Sequence, residues 1–281
     1  MMKILLLVAL GALTAADYNE QFKAHDVCVE GKSQSPIDLN KYTAGAQPLA
    51  NRKYFLDFEN WEFPVEEHTL TSGNQMRAKP HDHAHAGELT IVDSSLETCK
   101  AVKYEAVQFH WHTPSEHTFS HGGKELVDVE LHIVHMMKGE YVEACSEIYR
   151  ELLVLGVAFA ESKTAGAKDN AFFNNLGYAK DPTQEATRAL FAADIMDWFD
   201  QGAYYYKGSL TTPTCGERVE WHVAKEVQKV GKDALNAITA RLENPSNREL
   251  QKLNDRTVSY IGGKSFIQGQ YVPPKEKTDD L

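Results

Sequence analysis

The stretch QFHWH at residues 108–112 decides the fold, because polar and apolar side chains alternate along it. A period of two is typical of a β-strand, whose successive side chains point to opposite faces. Over residues 106–112 the predicted faces are Val107, Phe109 and Trp111 on one side and Gln108, His110 and His112 on the other. Two histidines on one face lie about 6–7 Å apart along the strand by the rise per residue. That spacing allows both to bind one metal ion.

A second strand with histidines is predicted at residues 126–136. Its faces are Glu130, His132 and Val134 on one side and Leu131, Ile133 and His135 on the other. Only one of its two histidines can therefore complete the site. Zinc held by three imidazoles keeps its fourth tetrahedral position for water, which is the catalytic rather than the structural pattern.

Gln108 and Glu130 favour a metal site over an accidental spacing of strand histidines. Each is predicted to lie beside a candidate ligand on the same face of its strand. Such groups commonly accept the second ring N–H of a ligating histidine. The two residues therefore add support for a metal ion at this place.

Several other motifs occur in a fixed order around these strands. They are SPIDL at 35–39, SEHT at 115–118, ELHIVH at 130–135, GSLTTP at 208–213, VEW at 219–221, and Asn247-Arg248 with Gln251 and Arg256. Together with QFHWH, this series resembles the α-class carbonic anhydrases from about Cys28 to about Val258. The resemblance implies a Zn2+ ion bound by His110, His112 and His132. Of the two histidines in the second strand, His132 also shares a face with Glu130.

The periodicity of the chain predicts a β-rich α+β class. The strand-like runs are 53–58, 87–92, 102–112, 126–136, 152–159 and 218–223, and the helical patterns are 184–199 and 232–242. The resemblance implies a more definite architecture. It is a single domain with a central, mostly antiparallel twisted sheet of about ten strands, peripheral short helices and a conical zinc cleft.

Length and composition agree with one domain. The chain has 281 residues, 42% of them hydrophobic, and neither an internal repeat nor a linker-like run in its middle. The formal net charge of −11 argues against nucleic acid or an anionic membrane as a partner. The sequence leaves the oligomeric state open.

The N-terminus has the pattern of a secretory signal peptide at residues 1–16. Lys3 precedes an apolar run at 4–13 and small residues at 14–16. A signal anchor is the alternative, but the run is well below the ~20 residues of a spanning helix. We therefore predict a secreted domain at 17–270 without a membrane span after cleavage, followed by a polar tail at 271–281. The last four residues match an ER-retrieval signal only in part, which favours secretion over retention in the ER lumen.

Four cysteines in an exported chain make disulfides chemically reasonable, and the sequence alone allows three pairings. The resemblance implies a bond between Cys28 and Cys215. Cys99 and Cys145 would then pair by remainder, with two free buried thiols as the alternative.

The resemblance implies the reversible hydration of CO2 to bicarbonate and a proton, through attack of a zinc-bound hydroxide on CO2. It assigns Thr211 and Glu116 to the hydrogen bonds that orient the hydroxide. Thr212 would bind bicarbonate, and the backbone carbonyl of Asn247 would orient His112. The apolar wall implied for CO2 consists of Val134, Val154, Leu210, Val219 and Trp221. For Val154, burial in a core strand is an equally good interpretation.

Proton release is where the chain departs from the family. Fast relatives carry a proton-shuttling histidine at the position of Asn74, and asparagine does not titrate near neutrality. A nearby HxHxH pattern, formed by His81, His83 and His85, could relay protons or bind a second metal. Its polar neighbours favour an exposed loop instead. His117 and His135 are interpreted as buried histidines with structural hydrogen bonds.

Two other classes of function fit this sequence less well. An inactive, carbonic anhydrase-like binding domain usually lacks a ligand histidine, and here all three are present. A zinc hydrolase would normally carry its general base in an HExxH motif, which does not occur in the chain. Weak esterase activity could still accompany CO2 hydration.

Overall fold

A computed structural model of the chain describes residues 15–57, 69–71, 75–78, 87–119, 125–176, 192–240, 242 and 245–274. The strands are β1 Gln47–Pro48, β2 Arg52–Asp57, β3 Thr69–Thr71, β4 Gln75–Ala78, β5 Glu88–Asp93, β6 Ala101–His112, β7 Val129–Met137, β8 Leu152–Glu161, β9 Ala203–Gly208, β10 Val219–Ala224, β11 Gln228–Val230, β12 Ser259–Ile261 and β13 Phe266–Gln268. The helices are α1 Ala15–Glu20, α2 Asp26–Glu30, α3 Leu39–Tyr42, α4 Gly139–Cys145, α5 Ala171–Leu176, α6 Ala192–Trp198 and α7 Lys232–Thr239, with 3-10 helices at Gln21–Ala24 and Gly263–Ser265.

The described strands form one mixed sheet. Ten of them follow one another in the order β1-β12-β9-β10-β8-β7-β6-β5-β2-β13, and β11, β3 and β4 pair at its side. Most neighbours are antiparallel, but β8 pairs in parallel with β10 and β11, β1 with β12, and β2 with β13. The prediction of a single, β-dominated domain with a mostly antiparallel sheet and short helices is confirmed.

The sheet separates two apolar clusters, because successive side chains of each strand point to opposite faces. The rear cluster is the larger and includes Tyr54, Trp111, Leu131, Ile133 and Phe159. The front cluster includes Val134, Val154, Val219 and Trp221, with Leu210 packed against it. The polar site residues of β6 and β7 share their face with the front cluster.

Val107 corrects one of the predicted strand faces. The pairing of β6 with β7 shifts register between Ala106 and Gln108, which indicates a β-bulge. The extra residue turns Val107 away from Phe109 and Trp111, so that it packs against the front cluster instead. Alternation alone does not reveal such an insertion.

One strand and one helix also have ends that differ from the prediction. β7 begins at Val129 rather than at residue 126, because Val127 pairs with Ser115 through two hydrogen bonds instead of joining the sheet ladder. The helical pattern at 232–242 ends at Thr239. Part of the other pattern, 184–199, forms α6, and its residues 184–191 lie outside the described residues.

Both implied cysteine pairs form disulfides, Cys28 with Cys215 and Cys99 with Cys145. The first joins the N-terminal segment to the loop that follows Thr211. In the described residues, no helix combines the length and the apolar character needed to cross a membrane. Residues 1–14 of the predicted signal peptide and 275–281 of the predicted tail lie outside those residues.

Candidate metal centre

Three histidine side chains converge on the front face of the sheet. His110 of β6 pairs directly with His132 of β7, and His112 follows two residues along β6. One ring nitrogen from each of the three lies within 4.8 Å of the other two. All three residues are buried, with at most 7% of their surface exposed.

The second nitrogen of each ring is held by an oxygen acceptor. Nδ1 of His110 lies 2.8 Å from Oε1 of Gln108, and Nδ1 of His112 lies 2.6 Å from the carbonyl oxygen of Ser246. Nε2 of His132 lies 3.0 Å from Oε1 of Glu130. Each ring can donate its N–H outward and keep a lone pair on the inward nitrogen, which is the tautomer that binds a metal ion.

Ser246 takes the role that the sequence had predicted for Asn247. Its carbonyl accepts the His112 hydrogen bond, one residue earlier than expected. The fully buried Ser246 also exchanges two hydrogen bonds with Thr113, through its backbone N–H and its hydroxyl. Residues 245–250 have no regular secondary structure, so no periodicity could fix which carbonyl faces the histidine.

Glu130 is saturated with hydrogen bonds. The backbone N–H groups of Glu116 and His117 donate to its Oε2, both over 2.9 Å, while its Oε1 lies 2.7 Å from Nδ1 of His117 and 3.0 Å from Nε2 of His132. Burial would raise the pKa of this carboxyl, but its contacts with His117 and His132 hold the pKa well below its usual range. A carboxylate offers about four lone-pair sites, so Glu130 is an outer partner rather than a metal ligand. For that reason the neighbouring group His117, Glu130 and His132 is the poorer of the two possible metal sites found among the described residues.

His117 extends this network away from the ligands. Its Nε2 lies 2.7 Å from the hydroxyl of Tyr206, which donates to the hydroxyl of Ser35. The Ser35 hydroxyl also accepts from the backbone N–H of Ser209, just before Leu210. Sequence reasoning assigned His117 a structural role and gave no role to Ser35, Tyr206 or Ser209 individually.

His135 points away from the three converging histidines. It follows Ile133 on the rear face of β7, and its Nδ1 lies 3.1 Å from the carbonyl oxygen of Ile133. Burial lowers its pKa to about 4. Burial also lowers the pKa of His132, partly offset by its hydrogen bond to Glu130.

Glu116 is buried beside His112, and the buried Thr211 contacts Glu116. Oε1 of Glu116 accepts the backbone N–H of Arg248 over 2.9 Å and lies 3.3 Å from Nδ1 of His112. Burial raises the pKa of Glu116, and a contact with the Thr211 hydroxyl lowers it. Within the described residues Oε2 of Glu116 has no partner of standard hydrogen-bond geometry.

The five apolar residues expected to line a CO2 site belong to one cluster, the front cluster. Val134 pairs with Val154 between β7 and β8, and Val154 pairs with Trp221 between β8 and β10. The Trp221 ring centroid is 4.7 Å from that of His132, and its N–H donates to the carbonyl of Ser209. Thr212, two residues after Leu210, is half-buried.

The predicted proton-shuttle position, Asn74, lies outside the described residues, as do His81, His83 and His85. Their arrangement relative to the three histidines stays a prediction. The adjoining strand β4 pairs Arg77 with His110, so this part of the chain enters the sheet beside β6.

Comparisons with known proteins agree with this geometry. A model of the eukaryotic-type carbonic anhydrase family matches residues 17–262. Alpha carbonic anhydrase 3 of Arabidopsis thaliana is 30% identical over 82% of this chain and 77% of its own length, and Carbonic anhydrase 6 of Bos taurus is 28% identical over 81% and 72%. The α-carbonic anhydrase of Thermovibrio ammonificans, solved with the inhibitor sulfanilamide, has the same fold, with a TM-score of 0.62 and 24% identity over 89% of this chain and 96% of that one.

Proposed function

Because the chain belongs to the eukaryotic-type carbonic anhydrase family, we propose that it hydrates CO2 reversibly with a zinc ion bound by His110, His112 and His132. Family membership makes it a carbonic anhydrase, with CO2 and bicarbonate as small-molecule substrates. The observation that carries the zinc assignment is the convergence of three buried ring nitrogens whose outer partners are all oxygen acceptors.

The donor set fits zinc by its chemistry. Three neutral imidazoles are a catalytic zinc set that leaves the fourth position free, and the lowered pKa of His132 favours its neutral form. When bound, zinc would lower the pKa of a water molecule to about 7 and so supply a hydroxide nucleophile near neutral pH.

The role that we propose for Glu116 and Thr211 is orientation. An ionised carboxylate can only accept hydrogen bonds, and Oε1 of Glu116 is already occupied by the Arg248 N–H. We assign Oε2, which has no other hydrogen-bond partner in the described residues, as the acceptor of a hydrogen bond donated by the Thr211 hydroxyl. The Thr211 oxygen would then offer only lone pairs to the reacting hydroxide. The nearby dication would favour the ionised carboxylate against the burial that raises its pKa. A nucleophile that donates its proton in a hydrogen bond to Thr211 would turn a lone pair towards CO2.

The front cluster suits the substrate. CO2 is small and uncharged, so an apolar wall can hold it without competing for the polar groups of the site. We assign this wall to Val134, Val154, Leu210, Val219 and Trp221. Thr212, which is half-buried beside Thr211, would bind the bicarbonate product.

We further propose that the chain is exported after cleavage of residues 1–16, as the mature domain 17–270 with its polar tail. The hydrophobic N-terminal run and the two disulfides support this proposal. N-terminal sequencing of the protein recovered from the medium of expressing eukaryotic cells would test it.

Metal analysis combined with stopped-flow CO2 hydration tests the activity. We expect stoichiometric zinc and rapid hydration, both lost on treatment with a zinc chelator and restored by zinc. Full activity in protein shown to be free of metal would contradict the proposal.

A further inference from the structure

A short irregular segment holds two key side chains of the site through its backbone. The carbonyl of Ser246 accepts from His112, and the N–H of Arg248 donates to Glu116. Neither residue belongs to a helix or strand. The position of these two peptide groups must therefore be fixed by something other than a regular ladder of hydrogen bonds.

The side chain of Arg248 supplies such an anchor. The residue is 2% exposed, and its guanidinium donates to Oε1 of Gln34, to the carbonyl of Ser35 and to the carbonyl of Cys28, each over 2.8 Å. The Phe22 ring covers it at 4.8 Å. Burial lowers its pKa to about 10, so it stays charged at neutral pH. The acceptors found in the described residues are all neutral oxygens arranged around the planar donor fork, a geometry that lysine cannot reproduce.

Gln34 connects this anchor with the loop of Thr211. Its Oε1 accepts from Arg248, while its Nε2 donates to the carbonyl of Cys215 and to Glu217. Cys215 in turn donates its backbone N–H to the carbonyl of Thr212, one residue after Thr211. The same contacts thus link the segment of Arg248, which holds Glu116, with the loop that carries the Thr211 hydroxyl.

We propose that Arg248 is a positioning residue, whose buried guanidinium sets the place of its own backbone N–H and thereby aligns the Glu116 carboxylate with the Thr211 hydroxyl. This inference rests on the proposed function of Glu116 and Thr211. It adds a requirement for the side chain of Arg248, which touches neither substrate nor metal.

Arg248→Lys keeps the charge and removes the fork. At high buffer concentration, where proton release is not limiting, we expect kcat/KM for CO2 to fall on the order of tenfold while zinc content stays unchanged. In a Glu116→Gln background the same change should cost much less, because residues that act through one contact are non-additive. Equal losses in both backgrounds would mean that Arg248 acts only through general stability.

Arg256→Lys is the matched control. Arg256 also donates to backbone carbonyls, those of Lys207, Gln34, Lys252 and Leu253, but in the described part of the chain it contacts neither Glu116 nor a metal-binding histidine. We expect lower thermal stability with an unchanged kcat/KM. A loss equal to that of Arg248→Lys would overturn the proposal.

Hydrogen exchange of the residue 248 amide gives a readout that does not depend on activity. We expect its protection to drop in Arg248→Lys and to remain in Arg256→Lys. Gln34→Leu, which removes one guanidinium acceptor, serves as a milder variant if Arg248→Lys folds poorly, and should shift protection and kcat/KM in the same direction. Unchanged protection of the residue 248 amide in Arg248→Lys and in Gln34→Leu would contradict the inference. A wild-type protein that is inactive but has normal protection would contradict the proposed function alone.

Discussion

At the scale of single residues, the site depends on which nitrogen each imidazole turns inward. His110 and His112 hold Nδ1 on outer acceptors, whereas His132 holds Nε2 on Glu130. The inward Nδ1 of His132 comes within 3.3 Å of Nε2 of His110. Two rings thus turn Nε2 inward and one turns Nδ1 inward, because the rings reach one point from two neighbouring strands.

The two histidines of β7 provide a direct test of this arrangement. We expect His132→Ala to lose most of its zinc, since an inward nitrogen is removed. His135→Ala should keep its zinc while losing stability, because it leaves a cavity on the rear face. Zinc analysis after gel filtration measures both. Full zinc in the first variant together with loss in the second would place the ligand on the other face of the strand.

Thr211 and Glu116 should affect rate without affecting metal content. We expect Thr211→Ala to lose on the order of a hundredfold in CO2 hydration, because orientation of the nucleophile is removed and the ligands remain. Glu116→Gln should also be impaired, because its amide can donate towards Thr211 and reverse the hydrogen bonds. Stopped-flow kinetics on zinc-quantified protein check both variants. Thr214→Ala, an exposed threonine of the same loop, is the control and should keep its rate.

At the scale of elements, what the sequence could predict follows from periodicity. β6, β7 and β8 carry long alternating or apolar runs, and their place in the chain was predictable to within a few residues. Val107 was assigned to the wrong face because one inserted residue at a bulge leaves the hydrophobic pattern almost unchanged. The carbonyl of Ser246 was missed because an irregular segment has no period. Backbone groups of such segments are set by tertiary contacts, here those of Arg248.

The two disulfides differ in what they hold. Cys28–Cys215 closes a separation of 187 residues next to the Thr211 loop, whereas Cys99–Cys145 closes one of 46 residues beside α4. Chain entropy makes the longer closure worth about 1 kcal/mol more, on a total of a few kcal/mol for each. We expect the double variant Cys28→Ser, Cys215→Ser to lose thermal stability and also kcat/KM.

The double variant Cys99→Ser, Cys145→Ser is its control, and should lose stability while keeping kcat/KM. Calorimetry and stopped-flow kinetics on the two proteins separate the effects. Equal kinetic losses in both would show that the first disulfide has no special role in holding the Thr211 loop.

At the scale of the whole molecule, stability should depend on pH through two buried histidines of the rear side. Burial lowers the pKa of His135 to about 4, and burial together with Arg52 lowers that of His222 to about 3. An unfolded histidine has a pKa near 6.5. Below that value the unfolded chain binds protons that the folded chain excludes. The free energy of unfolding therefore decreases as the pH is lowered below about 6.5, by up to about 1.4 kcal/mol per pH unit for each group.

Replacing His222 by leucine should flatten this dependence. We expect the free energy of unfolding of His222→Leu to change less between pH 7 and pH 5 than that of the wild type, whatever its absolute value. Urea unfolding at several pH values measures the difference, and contributions common to both proteins, including metal release, cancel. Parallel pH curves for wild type and His222→Leu would show that the pKa of His222 in the fold equals that in the unfolded chain.

Proton release couples the site to the solvent around the whole molecule. Each hydration cycle leaves a proton that must reach bulk water, and Asn74, which we predict to occupy the proton-shuttle position, does not titrate near neutrality. We therefore expect turnover to be moderate at low buffer and to rise with added imidazole, while kcat/KM, which is governed by CO2 attack, stays nearly constant. Asn74→His should raise the low-buffer turnover and weaken its response to imidazole. Turnover that is already high and independent of buffer, and that falls only when His81, His83 and His85 are replaced together, would instead identify that cluster as the proton relay.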